Sequence, residues 1–264
     1  MAAKFLGRVS LALVLAGAGA SADDWSKRFT VAGKPELRVD AGDGGVTVLA
    51  WDRNEIQARV TTLGWRIGPS EVQIIDRQSG DRVELELRIP HRPFNFSVGR
   101  RSIQVELHVP RELRSDIHTG DGHISVSGIK GDMRLTTGDG RIEAESVDGA
   151  LDAHTGDGRI RVHGRFDALR LQTGDGSIEA EIVRGSRLAS EWNVHTGDGH
   201  VTLRIPDSLA AEMEVHTGDG HITSDLPITT TGAWRDHDLR GKINGGGAPF
   251  IVRTNDGSVR LERW

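Results

Sequence analysis

The sequence predicts an all-β chain wound as a β-solenoid: two-strand coils of about 18 residues, stacked through Gly-Asp-Gly corners and capped by wider N-terminal strands. Three observations predict it. The tetrapeptide Thr-Gly-Asp-Gly occurs six times, starting at Thr119, Thr137, Thr155, Thr173, Thr196 and Thr217. The first four copies are 18 residues apart, and the next two follow after 23 and 21. Self-similarity at a fixed period marks one structural unit stacked on itself. Each copy is followed by a polar residue and then a β-branched apolar one, Ile124, Ile142, Ile160, Ile178, Val201 or Ile222, in strict alternation. That is the signal of a half-buried strand. About nine residues later a second alternation appears: Met133 and Leu135, Leu151 and Ala153, Leu169 and Leu171, Trp192 and Val194.

Each repeat therefore reads strand, turn, strand, corner, with each coil about 4.8 Å above the last. At the corner, Gly is expected to supply φ > 0 and Asp to bond the backbone two residues on. A left-handed triangular helix also uses eighteen-residue coils but needs an apolar residue every six. The intervals between Ile124, Val126, Ile129, Met133 and Leu135 are unequal. A meandering β-sandwich remains the alternative.

Taken in order, residues 1–22 have a secretory signal pattern. Lys4 and Arg8 precede an apolar run, and Ala20-Ser21-Ala22 offers a cleavage site. Residues 23–264 then read as one repeat domain. Within 23–115, Trp25 to Asp40 alternates, and a degenerate corner at Gly42-Asp43-Gly44 leads into Val46-Thr47-Val48. Longer strands follow at 56–60, 72–75, 83–89 and 103–109, as wide coils or hairpins covering the open end of the stack. His91-Arg92-Pro93 and Gly99-Arg100-Arg101 read as solvated loops rather than an anion site. The regular array occupies 116–224, with room for one helical turn between Pro206 and Glu214. Residues 225–264 are an irregular segment and a closing coil around the variant corner Thr254-Asn255-Asp256-Gly257.

Composition narrows the function. The net charge is −5 and grows more negative once Lys4 and Arg8 are removed, which argues against a nucleic-acid partner. There are no cysteines, so disulfides, a lipid anchor on Cys and thiolate chemistry are excluded. Tyr is absent and Phe is scarce, leaving little for an aromatic ligand groove. No stretch after the signal is long enough for a membrane-spanning helix. The alternating end Val259 to Trp264 has the look of an outer-membrane barrel strand, but strands of about five residues are too short for one.

The run Ile103 to Pro110 leading into Thr119-Gly120-Asp121-Gly122 resembles the bacterial DUF4097 family of candidate adhesins. So do Val46 to Asp52, the repeated corners and the ending from Gly245 through Val259. The resemblance implies a β-strand repeat protein of the cell envelope with no established catalytic residues.

Four patterns could carry chemistry. The first is the column Asp121, Asp139, Asp157, Asp175, Asp198, Asp219 and Asp256. Ca²⁺ could offset its repulsion, but the Gly-Gly-x-Gly-x-Asp spacing of Ca²⁺-binding β-rolls is missing. Cationic neighbours such as His118, Arg141 and Arg159 are the better explanation. The second is His-Thr-Gly-Asp-Gly-His at 118–123, 195–200 and 216–221. If the last two coils stack in register, His195 lies over His216 and His200 over His221, where imidazole pairs could share a transition metal. A tolerated outward position is the plainer reading. The third is the Thr column, which suits strand stacking better than ligand binding. The fourth is any enzymatic cluster, and none is seen: polar residues repeat with every coil, and no nucleophile elbow, His-Glu-x-x-His or phosphate loop occurs. The expectation is a non-catalytic, exported scaffold or surface-interaction module without cofactor, periplasmic or at the cell surface. Its partner would be an envelope protein or glycan. Metal or Ca²⁺ binding at the corner columns is the alternative, and carbohydrate-active catalysis a weaker one.

Overall fold

The computed structural model describes residues 22–89, 101–230 and 236–264. The signal pattern, apart from Ala22, and the basic stretches at 91–93 and 99–100 lie outside the described residues. What is described is all β, with twenty-one strands in one hydrogen-bonded network and no helix. Leu209 N–H closes a turn on the Pro206 carbonyl, and strand Ala211–Thr217 begins where a helical turn was expected.

The alternation places each residue over its equivalent one repeat later. Strand Lys130–Thr137 pairs in parallel with Arg114–Thr119 on one edge and with the end of Ile142–Thr155 on the other, so Thr119, Thr137 and Thr155 align. After the corner, Ile124, Ile142, Ile160 and Ile178 form a second parallel ladder. All four isoleucines are fully buried and belong to a single apolar cluster that runs the length of the stack. Each such side chain contributes roughly 1.5–3 kcal/mol by leaving water. Two coils run through their second turn as fourteen-residue strands, Ile142–Thr155 and Ile160–Thr173, the first of them bent where Ser146 takes φ 54°.

Chain order and stacking order differ at both ends. The closing strand Pro249–Thr254 lies between Trp192–Thr196 and Ala211–Thr217, so Thr254 separates Thr196 from Thr217. Likewise Val259–Arg263 lies between Val201–Ile205 and Ile222–Ser224. It is parallel to both neighbours, unlike a strand of an outer-membrane barrel. The expected direct stacking of the last two regular coils is therefore overturned. The core supplies a reason: Trp192 meets Phe166 and Phe250 edge-on, at 6.3 and 5.4 Å between ring centroids. That aromatic series forms only if the Phe250 strand lies next to Trp192.

At the N-terminal end the same thing happens. Glu36–Asp40 sits between Arg82–Arg88 and Arg114–Thr119, and Gly45–Trp51 between Ser102–Pro110 and Ile124–Ser127. Antiparallel strands then cover the stack. Glu55–Leu63 and Ala22–Thr30 close one sheet at the N-terminal end, and Gln73–Ser79 closes the other. At the far end Asp238–Ile243 pairs antiparallel with Ala211–Thr217.

The corners work differently from the expectation. None of the glycines in the intact Thr-Gly-Asp-Gly copies has positive φ; only Gly42 of the degenerate corner does, at 55°. Glycine is required because the corners nest. A Cβ on Gly122, Gly140, Gly158, Gly176, Gly199, Gly220 or Gly257 would fall 1.8–2.1 Å from a carbonyl oxygen of the adjacent coil. The Thr of each corner locks that contact. Thr155 is buried, and its hydroxyl donates to the Gly140 carbonyl at 2.7 Å while accepting from its own Gly158 N–H at 3.2 Å. The donated bond recurs from Thr119 on Gly44 to Thr217 on Gly257, and the accepted one in the corners of Thr173, Thr196, Thr217 and Thr254. The Thr column is thus internal structure, as the strand-stacking reading expects.

Candidate functional site

Stacking in register turns each outward position into a column, and several columns alternate acidic with basic residues. On the strands before the corner the series is Glu84, Arg38, Asp116, Arg134, Asp152 and Arg170. On the strands after it, Glu145, His163, Glu181, Arg204 and Glu262 form a chain with contacts of 3.5, 3.8, 3.2 and 3.0 Å. Along the second edge, Lys34, Glu112 and Lys130 link at 4.0 and 3.3 Å, and Arg165 bridges Asp148 and Asp167. Hydrogen bonds donated by the Arg165 guanidinium to Asp167 and then to Asp148 raise its pKa, and Arg165 holds the Asp167 carboxyl below the usual carboxylate range. Exposed pairs of this kind contribute about 0.2–1 kcal/mol each.

Shallow furrows run between these columns. One of about 560 Å³ has Ala150 and Ala168 on its floor and Arg114, Asp132, Arg134 and Glu191 along its sides. Another of about 530 Å³ follows Glu145, His163 and Glu181.

The corner column is acidic throughout. In stacking order it reads Asp43, Asp121, Asp139, Asp157, Asp175, Asp198, Asp256 and Asp219, all exposed. Among the described residues no ion pair within 4.0 Å joins any of them to a flanking histidine or arginine. The expected charge compensation by direct pairing is therefore not made. Nor do these carboxylates bond the backbone two residues on in the intact corners; in the degenerate one, Asp40 accepts the Gly42 N–H at 3.3 Å. Asp43, Asp121, Asp139, Asp157 and Asp175 lie instead against the first glycine of the next corner. A Cβ at Gly138 would stand 3.2 Å from Asp121 Oδ1, and one at Gly156 3.1 Å from Asp139 Oδ1.

The four candidate histidines are not brought together. Arg253 separates His195 from His216, and Ser258 separates His200 from His221, because the closing coil is inserted there. His200 Nδ1 accepts the Ser258 N–H at 3.2 Å, and His216 Nδ1 lies 2.8 Å from Asp238 Oδ1. Among the described residues no group of three or more His, Cys, Asp or Glu is placed to hold a metal ion. His221 instead faces His237, at 6.3 Å between ring centroids. Sequence reasoning missed His237 because it lies in the aperiodic segment 225–249, where no repeat assigns it a position.

With this geometry in place the relatives can be compared. The family model described as Toastrack DUF4097 matches residues 80–262. The chain belongs to the DUF4097 family. No curated protein matches it. Among solved structures, a candidate adhesin from Bacteroides fragilis is 11% identical with a TM-score of 0.46, covering 94% of this chain and 100% of its own. A candidate cell adhesion protein from Clostridium sporogenes is 12% identical with a TM-score of 0.44, covering 90% and 99%. A candidate lipid-binding protein from Parabacteroides distasonis is 13% identical with a TM-score of 0.40, covering 90% and 96%. Family membership rests on the sequence match alone. In this DUF4097 chain, no helix among the described residues is long and apolar enough to cross a membrane.

Proposed function

We propose that the chain is a non-catalytic, exported scaffold or surface-interaction module of the cell envelope, built as a rigid stack of coils. The observation that carries this is the repetition of its outward charges. They recur coil after coil and are mostly consumed by one another, as in Glu145–His163–Glu181–Arg204–Glu262. An active centre needs a non-repeated group of acid, base or nucleophile around one substrate position. A repeated surface offers the same contact many times along a rod, which suits an extended partner such as an envelope glycan or protein.

The Lys4–Arg8 and Ala20-Ser21-Ala22 pattern supports export. The test has two arms. Residues 1–22 fused to an alkaline phosphatase reporter should deliver it active outside the cytoplasm. The purified protein should be retained saturably by isolated envelope fractions without releasing soluble sugar or peptide from them. Turnover of an envelope glycan, abolished by changing one unrepeated carboxylate, would overturn the non-catalytic reading.

A further inference from the structure

The C-terminal end of the stack carries a histidine pair that no repeat explains. Residues 236–238 cross the last corner and are pinned there on both sides. The Asp236 carbonyl accepts the Ile222 N–H at 3.1 Å, and the His237 carbonyl accepts the Thr217 N–H at 3.0 Å. This backbone clamp presents the His237 ring to His221, with centroids 6.3 Å apart and planes tilted by 32°. His237 Nδ1 lies 2.8 Å from the Gly220 carbonyl. A carbonyl oxygen can only accept, so Nδ1 carries the proton and Nε2 keeps a bare lone pair. Fixing one ring nitrogen by a carbonyl so that the other can ligate is how metal-binding histidines are oriented.

The geometry points to a two-histidine site for a borderline transition-metal ion, Ni²⁺, Cu²⁺ or Zn²⁺, between His221 and His237. Two imidazoles ligating one ion at about 2.0–2.1 Å put their centroids roughly 5 Å apart at a tetrahedral angle and roughly 6.4 Å apart when trans, so the observed 6.3 Å suits a trans pair on a tetragonal Cu²⁺ or Ni²⁺ ion, and a tetrahedral ion only once the exposed rings turn toward each other. Imidazole nitrogen selects these ions over Ca²⁺ and Mg²⁺, which take oxygen. No third His, Cys, Asp or Glu completes the set among the described residues, so the remaining positions belong to water or to a donor from outside the chain. The site is therefore open and accessible. It shares His221 with the expected pair 200/221, which the inserted coil separates as it does 195/216, and takes its second ring from outside the repeats.

Cu²⁺ provides the decisive probe. Titrated into the protein above neutrality, where imidazole is unprotonated, one equivalent should bind and selectively broaden the imidazole proton resonances of His221 and His237. Ni²⁺ and Zn²⁺ should compete for it, and Ca²⁺ should not. Loss of an outer partner alone lowers metal affinity 10–100-fold, so His221→Gln or His237→Gln should weaken binding by about tenfold or more. His195→Gln and His118→Gln should leave it unchanged. Both rings are exposed, so the variants should keep the far-UV spectrum and melting temperature of the parent. Unchanged affinity in both glutamine variants, or broadening centred on other histidines, would overturn the site. So would the absence of any binding by the parent protein.

Discussion

On the strands after the corner, Glu145, His163, Glu181, Arg204 and Glu262 alternate acidic with basic side chains and touch their neighbours, whereas a few residues away eight corner aspartates face solvent in a row with no ion-pair partner among the described residues. Both columns belong to the same coils and share the same stacking. In the first, each coil's charge is answered by the next, and the column adds stability. In the second, adjacent carboxylates repel by roughly 1 kcal/mol per pair even in water, less after screening by salt. The corners are therefore held together by something other than charge. Their stability comes from nested backbone and from the Thr clasp. From Asp43 to Asp175 the aspartate persists against that background as an exposed group fitted beside the next glycine, not as half of an ion pair. The alternating faces describe how the rod is held; the corner edge describes what it leaves unneutralised.

The largest effect should come from the core both columns stand on. Ile160→Asp would bury an unpaired carboxylate and should cost about 4 kcal/mol or more. Arg161→Asp, on the outward side of the same strand, loses its 2.8 Å contact with Glu179 and should cost about 1 kcal/mol. Urea midpoints measure both. Equal, small losses would mean that the inward register is misassigned.

Next come the corner's own devices. Gly158→Ala places a Cβ 1.9 Å from the Gly140 carbonyl, and the obstacle is backbone, so at least about 3 kcal/mol should be lost. Thr155→Val keeps shape and β-branching but strips the Gly140 carbonyl and the Gly158 N–H of their partner, at about 2 kcal/mol. If either substitution were neutral, the corner would not be held by nesting, and the contrast with the charged faces would fail.

Much of this was legible in the sequence. The columns of Ile124, Ile142, Ile160 and Ile178 and of Thr119 through Thr173 follow from an unbroken eighteen-residue period, because parallel stacking converts a period directly into neighbours. Stacking order at the two ends was not legible. Every coil presents the same corner and the same inward alternation, so local sequence does not say which coil lies beside which. Long-range packing decides it, such as Trp192 against Phe250. The role of the corner glycines was misread for a related reason: a turn motif suggests positive φ, whereas close approach to an adjacent coil leaves no local trace. His237 was invisible because aperiodic sequence gives no address. Ser224 stands where the other coils carry Val126, Ala144, Val162, Ala180 and Leu203, and its place in the last strand of its ladder, where it is only half-buried, explains the polar residue.

The smallest effects separate the two columns most sharply, because they differ in sign. Glu181→Lys places a cation between His163 and Arg204, removes both contacts, and should destabilise by about 1 kcal/mol. Asp157→Asn in the corner column removes one carboxylate from between Asp139 and Asp175 and breaks no ion pair. It should stabilise by a few tenths of a kcal/mol, at most about 1. Salt provides the control. Raising ionic strength screens attraction and repulsion alike, so the loss in the first variant and the gain in the second should both shrink toward zero. Melting curves at low and high salt for the two variants and the parent would measure this. A loss of stability in Asp157→Asn that salt does not relieve would show the carboxylate making a structural bond at the corner, and the unneutralised edge would then be part of what holds the rod together.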